Sequence, residues 1–367
     1  MSAITTIPDR DPGYVHHVLL YGAMESAGIR YVQIPFSLRY LLRHGPAERY
    51  HYVHFHWPEI FFVIRPRQPH RLFGMKGFLK LHAFWLLAKL RGYKLVWTVH
   101  EVDVHDLERH RWIHAASRRL LWRQSAVVFT HSRVVRDEAV RRWGPKRHLY
   151  TIPHGSYVGG YPDTVTRDEA RQRLGLPDRA QVFVFLGNLR PYKGVDLLIE
   201  AFRSLHAEFP DAWLVVCGRA ERESYGAHVR EAMRGLPNAR LVEGFVPHAD
   251  VQLYLRAADC FVAPYRRVET SGIVYLSLAF DLPVIVTAQG SAAELEPLGV
   301  GIFMRDPAET GSAMRRFLEM PESERASLRE AVRRTARLQS WDAIGRQYHA
   351  ALAAYEAEGL RRRFIPA

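Results

Sequence analysis

Cysteine is nearly absent from this chain of 367 residues: the two present, Cys217 and Cys260, each close an apolar, strand-like run. That excludes a disulfide framework and makes a reducing cytosol the expected compartment. Long apolar runs are missing as well. The segment Ala83-Phe84-Trp85-Leu86-Leu87-Ala88 is enclosed by Lys80 and Lys89, too short to span a bilayer. Met1 to Tyr14 is polar and carries Asp9, Arg10 and Asp11 where an export signal needs an apolar core, so none is expected. Acidic residues are absent between Glu59 and Glu101. There Arg65, Arg67, Arg71, Lys76, Lys80, Lys89, Arg91 and Lys94 alternate with Phe61, Phe62, Phe73, Phe78, Phe84 and Trp85. Such a stretch suits an anionic membrane interface, with a core helix bearing a solvated basic face as the alternative. Overall, 51 Lys and Arg against 38 Asp and Glu leave a formal charge of +13, which calls for an anionic surface or ligand. The expectation is a cytoplasmic protein, peripheral at the inner face of the membrane.

What is present in quantity is apolar: 48% of residues, enough for two cores at this length. Short apolar strands alternate with helical patterns. In the first half, His17 to Ala27, Phe78 to Leu90 and Arg109 to Gln124 read as helices, and Ser132 caps another. Tyr52 to His56, Leu95 to Val99 and Ala126 to Thr130 read as strands. Tyr150-Thr151-Ile152-Pro153-His154-Gly155 and the Gly- and Tyr-rich residues after it look like a linker, and Thr166 to Glu169 has capping-box spacing. Alternation then restarts near Val182, Leu214, Leu241, Phe261 and Val284. This pattern predicts an α/β protein with two parallel sheets, each covered on both faces.

Two segments carry chemistry. The run Val182 to Leu186 discharges into Gly187-Asn188-Leu189-Arg190-Pro191-Tyr192-Lys193-Gly194, followed at once by a helical pattern from Val195 to Leu205. Glycines for close backbone approach, two cations and a helix start make this an anion site, for a phosphate or diphosphate. The second segment leads from Cys260-Phe261-Val262-Ala263-Pro264 to Glu269-Thr270-Ser271-Gly272 and another helix, whose cap residues and first amides would face the same phosphate. Glu269 beside phosphate would be repelled unless it binds hydroxyls. A sugar on a diphosphate offers both partners.

These motifs, with Pro283-Val284-Ile285-Val286-Thr287, Gly290 and Glu294, resemble those of the GT-B glycosyltransferases of the large family-four (group 1) type. The match runs from about Leu149 to Trp341. In the first half it rests on Pro12-Gly13, His56-Trp57-Pro58 and Trp97-Thr98-Val99-His100. The resemblance implies a GT-B fold, two Rossmann-like domains facing across a cleft. Residues 1–155 with a returning helix at 343–367 would bind acceptor, and 156–342 a nucleotide-sugar donor. Two departures stand out: Asn188 replaces a common arginine, and Ser277 replaces a second glutamate that usually serves as a ribose clamp. Arg190 can stand in for the missing cation.

By that resemblance, Arg190, Lys193, Ser271 and Gly272 hold the diphosphate, and Gly187, Asn188, Ser277, Gly290 and Glu294 line the donor pocket. Glu269 grips the sugar, and His100 is the active-site histidine. Near it Glu101, Asp103, His105 and Asp106 crowd one loop, as orienting groups or bases. Gly13, His16, His56 and Glu101 are assigned to the acceptor side. His54 and His56, two apart on a strand, share a face and could ligate a metal, but no third ligand follows at characteristic spacing, so packing or acceptor lining is expected. No cofactor and no metal are expected, since cations and amides would activate the leaving diphosphate. The expected partners are a nucleotide sugar, with GDP-mannose first, a glycan or lipid-linked acceptor and an anionic membrane. Nucleic acid is not among them, and the oligomeric state is not set by the sequence.

The order Lys193-Gly194 reverses that of a P-loop, and no dinucleotide fingerprint follows an early strand. A basic nucleic-acid binder or a silent membrane scaffold would leave Glu269 to Gly272 without a role. Retention of anomeric configuration is expected from the resemblance, with inversion, the acidic loop supplying the base, as the alternative.

Overall fold

The computed structural model describes residues 2–7, 14–61, 71–102 and 111–364. Gly13, Asp103, His105 and Asp106 lie outside them, as do Pro12, Phe62, Arg65 and Arg67 and the side chains of Arg71 and Phe73. Two compact units result: Met1–Pro153 with Trp341–Ala367, and His154–Ser340.

The first unit begins with a strand that the polar reading of the start missed. Ser2–Ile7 forms β1, in which Ala3 to Ile7 are all buried. Thr5 and Thr6 made it look like a surface segment, yet their branched side chains suit a strand, and the Thr5 hydroxyl donates to the Val32 carbonyl. There follow α1 (Val15–Ser26), β2 (Ile29–Tyr31), α2 (Leu38–Arg43), β3 (Tyr50–Phe55), α3 (Arg71–Leu90) and β4 (Lys94–Val99). Then come α4 (Arg111–Gln124), β5 (Val127–Thr130), α5 (Arg133–Trp143) and β6 (Leu149–Thr151). Ser132 does cap α5, its hydroxyl accepting from the Val135 amide at 3.1 Å. The segment read as a linker contributes β6 at its start.

All six strands are parallel, in the order β2-β1-β3-β4-β5-β6. The pleat decides which side chains meet which helices. Val53, Phe55, Leu95, Trp97 and Val99 enter a core with Leu81, Phe84, Trp85 and Leu121 of α3 and α4. Their alternates Tyr52 and Val96 enter the opposite core with Leu20 and Tyr21 of α1. His54, His56, Thr98 and His100 continue that second set, toward α1. The chain steps from β1 outward to β2 and then back to β3, so the switch point of this sheet lies between β1 and β3, where ligand sites in open parallel sheets form.

The second unit repeats the plan. It contains α6 (Arg167–Leu174), β7 (Gln181–Leu186), α7 (Val195–His206), β8 (Ala212–Gly218), α8 (Glu223–Met233), β9 (Ala239–Glu243) and α9 (Val251–Ala257). β10 (Cys260–Ala263), α10 (Gly272–Leu278), β11 (Val284–Thr287), β12 (Gly301–Met304), α11 (Thr310–Glu319) and α12 (Glu322–Leu338) complete it. The capping box expected at Thr166 and Glu169 forms with both bonds made. Its sheet is parallel in the order β12-β11-β10-β7-β8-β9, which puts the switch point between β7 and β10. Both cysteines are buried in these strands and unpaired. The last helix, α13 (Trp341–Phe364), belongs to the first unit, where Trp341, Ile344, Tyr348 and Leu352 join the core beside α1.

Helical periodicity corrects one reading of α3. Leu81, Phe84, Trp85 and Ala88 share its inner face and are buried, so the aromatic rings Phe84 and Trp85 fill the core and are not offered to a membrane. The outer face carries Leu79, Leu86 and Leu90, all exposed, with the exposed Lys76, Lys80 and Lys89. Among the described residues no helix is long and apolar enough to cross a membrane.

Candidate functional site

At the switch point of the second unit, the turn after β7 and the loop after β10 are tied together. Gly194 sits in the left-handed region at φ 67°, and a Cβ there would lie 2.1 Å from the Pro264 carbonyl oxygen, so only glycine lets the two segments meet. The Arg266 amide donates to the Tyr192 carbonyl at 2.8 Å, and its guanidinium donates to Pro191 and pairs with Asp196 of α7. A third loop joins after β11. The Ser291 amide donates to the Glu269 carbonyl at 2.7 Å, and Gly290, at φ 54°, has no room for a Cβ against that same carbonyl.

The cation in this frame is Lys193. Its ammonium lies 3.0 Å from where a Gly187 Cβ would stand and 5.6 Å from the centre of the Tyr265 ring. Burial, with a smaller push from Arg190, brings its pKa down to about 8. The Ser271 hydroxyl donates to the Tyr265 hydroxyl at 3.2 Å, so Tyr265 links Lys193 to the start of α10. Ser271 occupies the N-cap position of α10 but makes no side-chain cap bond, contrary to the expectation of a capping hydroxyl. Its side chain is spent on Tyr265, and the first amides of α10 are left without a side-chain cap. α7 likewise starts at Gly194 without one.

The other residues expected here fall at different depths. Arg190 is not held as an isolated cation: its guanidinium pairs with Glu221 at 2.6 Å. Asn188 is exposed, and Glu269 and Glu294 are half-buried. Ser277 is fully buried, its hydroxyl donating to the Val274 carbonyl at 2.7 Å, so it packs inside α10 and offers no group to a ribose in this arrangement. The sequence reading missed His154, Tyr157 and Tyr275. His154 stacks on Tyr275 with ring centres 4.7 Å apart, and a Cβ on Gly272 would come within 2.9 Å of the Tyr157 hydroxyl. Gly272 is therefore as much a packing requirement as a way to bare an amide.

At the switch point of the first unit, the histidines converge. His16 comes from the first turn of α1, His56 follows β3, and His100 follows β4; all three are buried, with one nitrogen of each within 4.8 Å of the others. His56 Nδ1 is 2.9 Å from His100 Nε2, and His56 Nε2 is 2.7 Å from the Tyr21 hydroxyl. That hydroxyl is also 2.8 Å from His54 Nδ1, and His54 Nε2 is 2.8 Å from Thr98 Oγ1. Two proton placements satisfy the whole chain with every ring neutral: His100 donating to His56, His56 to Tyr21, Tyr21 to His54 and His54 to Thr98, or the same bonds all reversed. Burial, reinforced by the neighbouring imidazoles, pushes His54 and His56 well below the usual histidine range. Burial brings His131, whose ring centre is 5.0 Å from that of His100, to about 4. Trp57 stacks on both His100 and His17, at 4.4 and 5.3 Å, which fixes the plane of the His100 ring.

Of the acidic loop, only Glu101 and Val102 are described. Their carbonyls both accept from Arg118 of α4, a buried residue that the sequence reading did not single out and that anchors the backbone just past His100.

Residues 166–337 match the family model described as Glycosyl transferases group 1. Among curated proteins, a GDP-mannose-dependent alpha-(1-6)-phosphatidylinositol monomannoside mannosyltransferase of Mycolicibacterium smegmatis is 29% identical over 222 residues, 57% of this chain and 53% of that protein. A GDP-mannose:glycolipid 4-beta-D-mannosyltransferase of Xanthomonas campestris pv. campestris is 24% identical over 269 residues, 71% and 68% of the two chains. The chain thus spans about half the length of the first of these relatives. Among solved structures, Anabaena HepE in complex with UDP superposes with a TM-score of 0.71 at 15% identity, covering 96% of this chain and all of that one. The fold is GT-B, and the chain resembles the group 1 glycosyltransferases.

Proposed function

We propose that this chain is a glycosyltransferase that moves a sugar from a nucleoside diphosphate to an acceptor hydroxyl, with the second unit on the donor side and the first on the acceptor side. The observation that carries this reading is the Lys193 turn, stitched to the start of α10 through Tyr265 at the switch point of a parallel sheet. A diphosphate placed there meets an ammonium and uncapped helix amides. Charge grows on that group as the bond from the sugar C1 to the phosphate oxygen breaks, so donors already aimed at it lower the barrier. Arg190 reinforces them by exchanging or sharing its Glu221 partner. Glu269, held by the Gly290 turn, grips sugar hydroxyls, and Glu294 closes the pocket. On the acceptor side, His100 is assigned to hydrogen-bond a sugar hydroxyl or take a proton. Magnesium or manganese is not needed for departure of the diphosphate, and adding either should leave the transfer rate unchanged.

GDP-mannose is the proposed donor and a lipid-linked or glycan hydroxyl the proposed acceptor, supported by the named donors and acceptors of the two mannosyltransferases. In the retaining reaction the acceptor oxygen bonds to C1 on the face the diphosphate leaves, and the departing phosphate takes the acceptor proton, so no strong protein base is required. The resemblance to a β-forming mannosyltransferase over 71% of the chain favours a second reading, inversion, with a base on the opposite face. Peripheral attachment to an anionic membrane is supported by the Leu79, Leu86, Leu90 face of α3 and the lysines beside it. Calorimetric titration with a panel of nucleotide sugars tests the donor assignment. GDP-mannose should bind more tightly than UDP-glucose, and failure of every member to bind would remove it.

A further inference from the structure

We infer that His16, His56 and His100 form a binding site for a divalent transition-metal cation of the zinc class. The three ligands come from separate elements of the first unit and meet where the first turn of α1 reaches the ends of β3 and β4. One nitrogen of each lies within 4.8 Å of the others, in a buried setting. The closest pair, His56 Nδ1 and His100 Nε2, is 2.9 Å apart. Two nitrogens on one tetrahedral ion at bond lengths of about 2.0–2.1 Å stand a few tenths of an ångström further apart than that, so this pair has to open slightly while the His16 nitrogen closes in from within 4.8 Å.

The surroundings match what a histidine-ligated cation needs. A metal-ligating imidazole holds its other nitrogen on a partner that fixes ring and tautomer. His56 does so, with Nε2 2.7 Å from the Tyr21 hydroxyl, itself braced by His54. In the placement where His56 Nε2 donates to Tyr21, the His56 Nδ1 lone pair faces the centre of the triad, and metal binding moves the His100 proton from Nε2 to Nδ1 while stacking on Trp57 holds its ring plane. Trp341 stands edge-on to His16 at 5.3 Å and limits its swing. Imidazole donors without thiolate suit zinc, copper, nickel or iron better than magnesium or calcium. Three protein nitrogens leave a fourth position for water or a substrate oxygen. The site rests on residues of the first unit only and does not depend on the donor assignment.

The test uses the untagged full-length chain, stripped with chelator, dialysed and titrated with Zn2+ and with Co2+. The expected result is one equivalent bound per chain, a raised thermal midpoint, and visible Co2+ absorption of the intense kind that tetrahedral nitrogen ligation gives. His16→Ala and His56→Ala should abolish the stoichiometric site, with His148→Ala, outside the triad, as the control. Tyr21→Phe keeps the ring and removes the hydroxyl shared by His56 and His54, and its thermal midpoint without metal separates a lost brace from a folding defect. It should weaken Zn2+ binding by about 10- to 100-fold. No stoichiometric binding by the unmodified chain overturns the proposal, as does binding that all three variants retain in full.

Discussion

Replacing Lys193 by methionine separates binding from folding. In the proposed site the ammonium would meet the diphosphate through charge-assisted hydrogen bonds, worth about 1.5–3 kcal/mol, so nucleoside diphosphate affinity should fall by roughly 10- to 150-fold. Folding should respond in the opposite sense. Burial holds the Lys193 pKa near 8, below its ordinary value, so the folded state disfavours the charged form. The unfolded chain binds the extra proton between that value and the ordinary lysine range, and stability due to this group rises with pH across that window. Removing the charge therefore leaves the thermal midpoint unchanged or higher near neutral pH. The same pKa predicts a pH signature. The free protein carries a charged Lys193 at pH 7 and is mostly neutral there at pH 9, so affinity for GDP should drop about tenfold between them in the unmodified chain. It should stay flat in Lys193→Met. Calorimetry at the two pH values, with scanning calorimetry for stability, gives all three quantities. Unchanged affinity in the variant, or an unmodified chain whose affinity ignores this pH interval, would refute the role of Lys193.

Three further outcomes are expected. Glu269→Gln should impair transfer far more than GDP binding under the proposed role of its carboxylate in gripping sugar hydroxyls; a parallel collapse of both would show that it serves the nucleotide. His100→Ala should be severe for transfer, and NMR of the product from an α-configured donor should show an α-linkage, whereas a β-linkage means inversion and makes the loop after Glu101 the place to find the base. Vesicles containing anionic lipid should bind the chain in a salt-sensitive way that Leu86→Glu and Lys80→Glu each weaken. Equal partitioning to neutral vesicles would leave the α3 face as ordinary surface.

The motifs around Gly187 and Glu269 were legible because each is local: an apolar strand, a turn of glycines and charge, and a helix start follow one another without interruption. Ser132 and Thr166 were readable as caps for the same reason. What escaped was either disguised or distant. β1 was disguised by Thr5 and Thr6, which look polar but pack well in a buried strand. The histidine triad was distant, since residues 16, 56 and 100 carry no shared spacing and meet only because β1, β3 and β4 lie side by side. His54 and His56 were read as packing or acceptor-lining residues because no third ligand followed at characteristic spacing; His16 and His100, which approach His56, come from other elements. Arg190 was read as a ready cation because Glu221, its partner, follows a different strand. The outer face of α3 was assigned to aromatics, whereas the helical period turns Phe84 and Trp85 inward and leaves leucines outside.

Sugar transfer from a nucleoside diphosphate at the Lys193 turn is measured by incubating the chain with GDP-mannose and a lipid-linked acceptor and following GDP released together with sugar gained by the acceptor. The unmodified chain should show matched release and transfer, with both strongly reduced in Lys193→Met. Absence of turnover with GDP-mannose and with every other nucleotide sugar of the panel, in a folded protein, would contradict it.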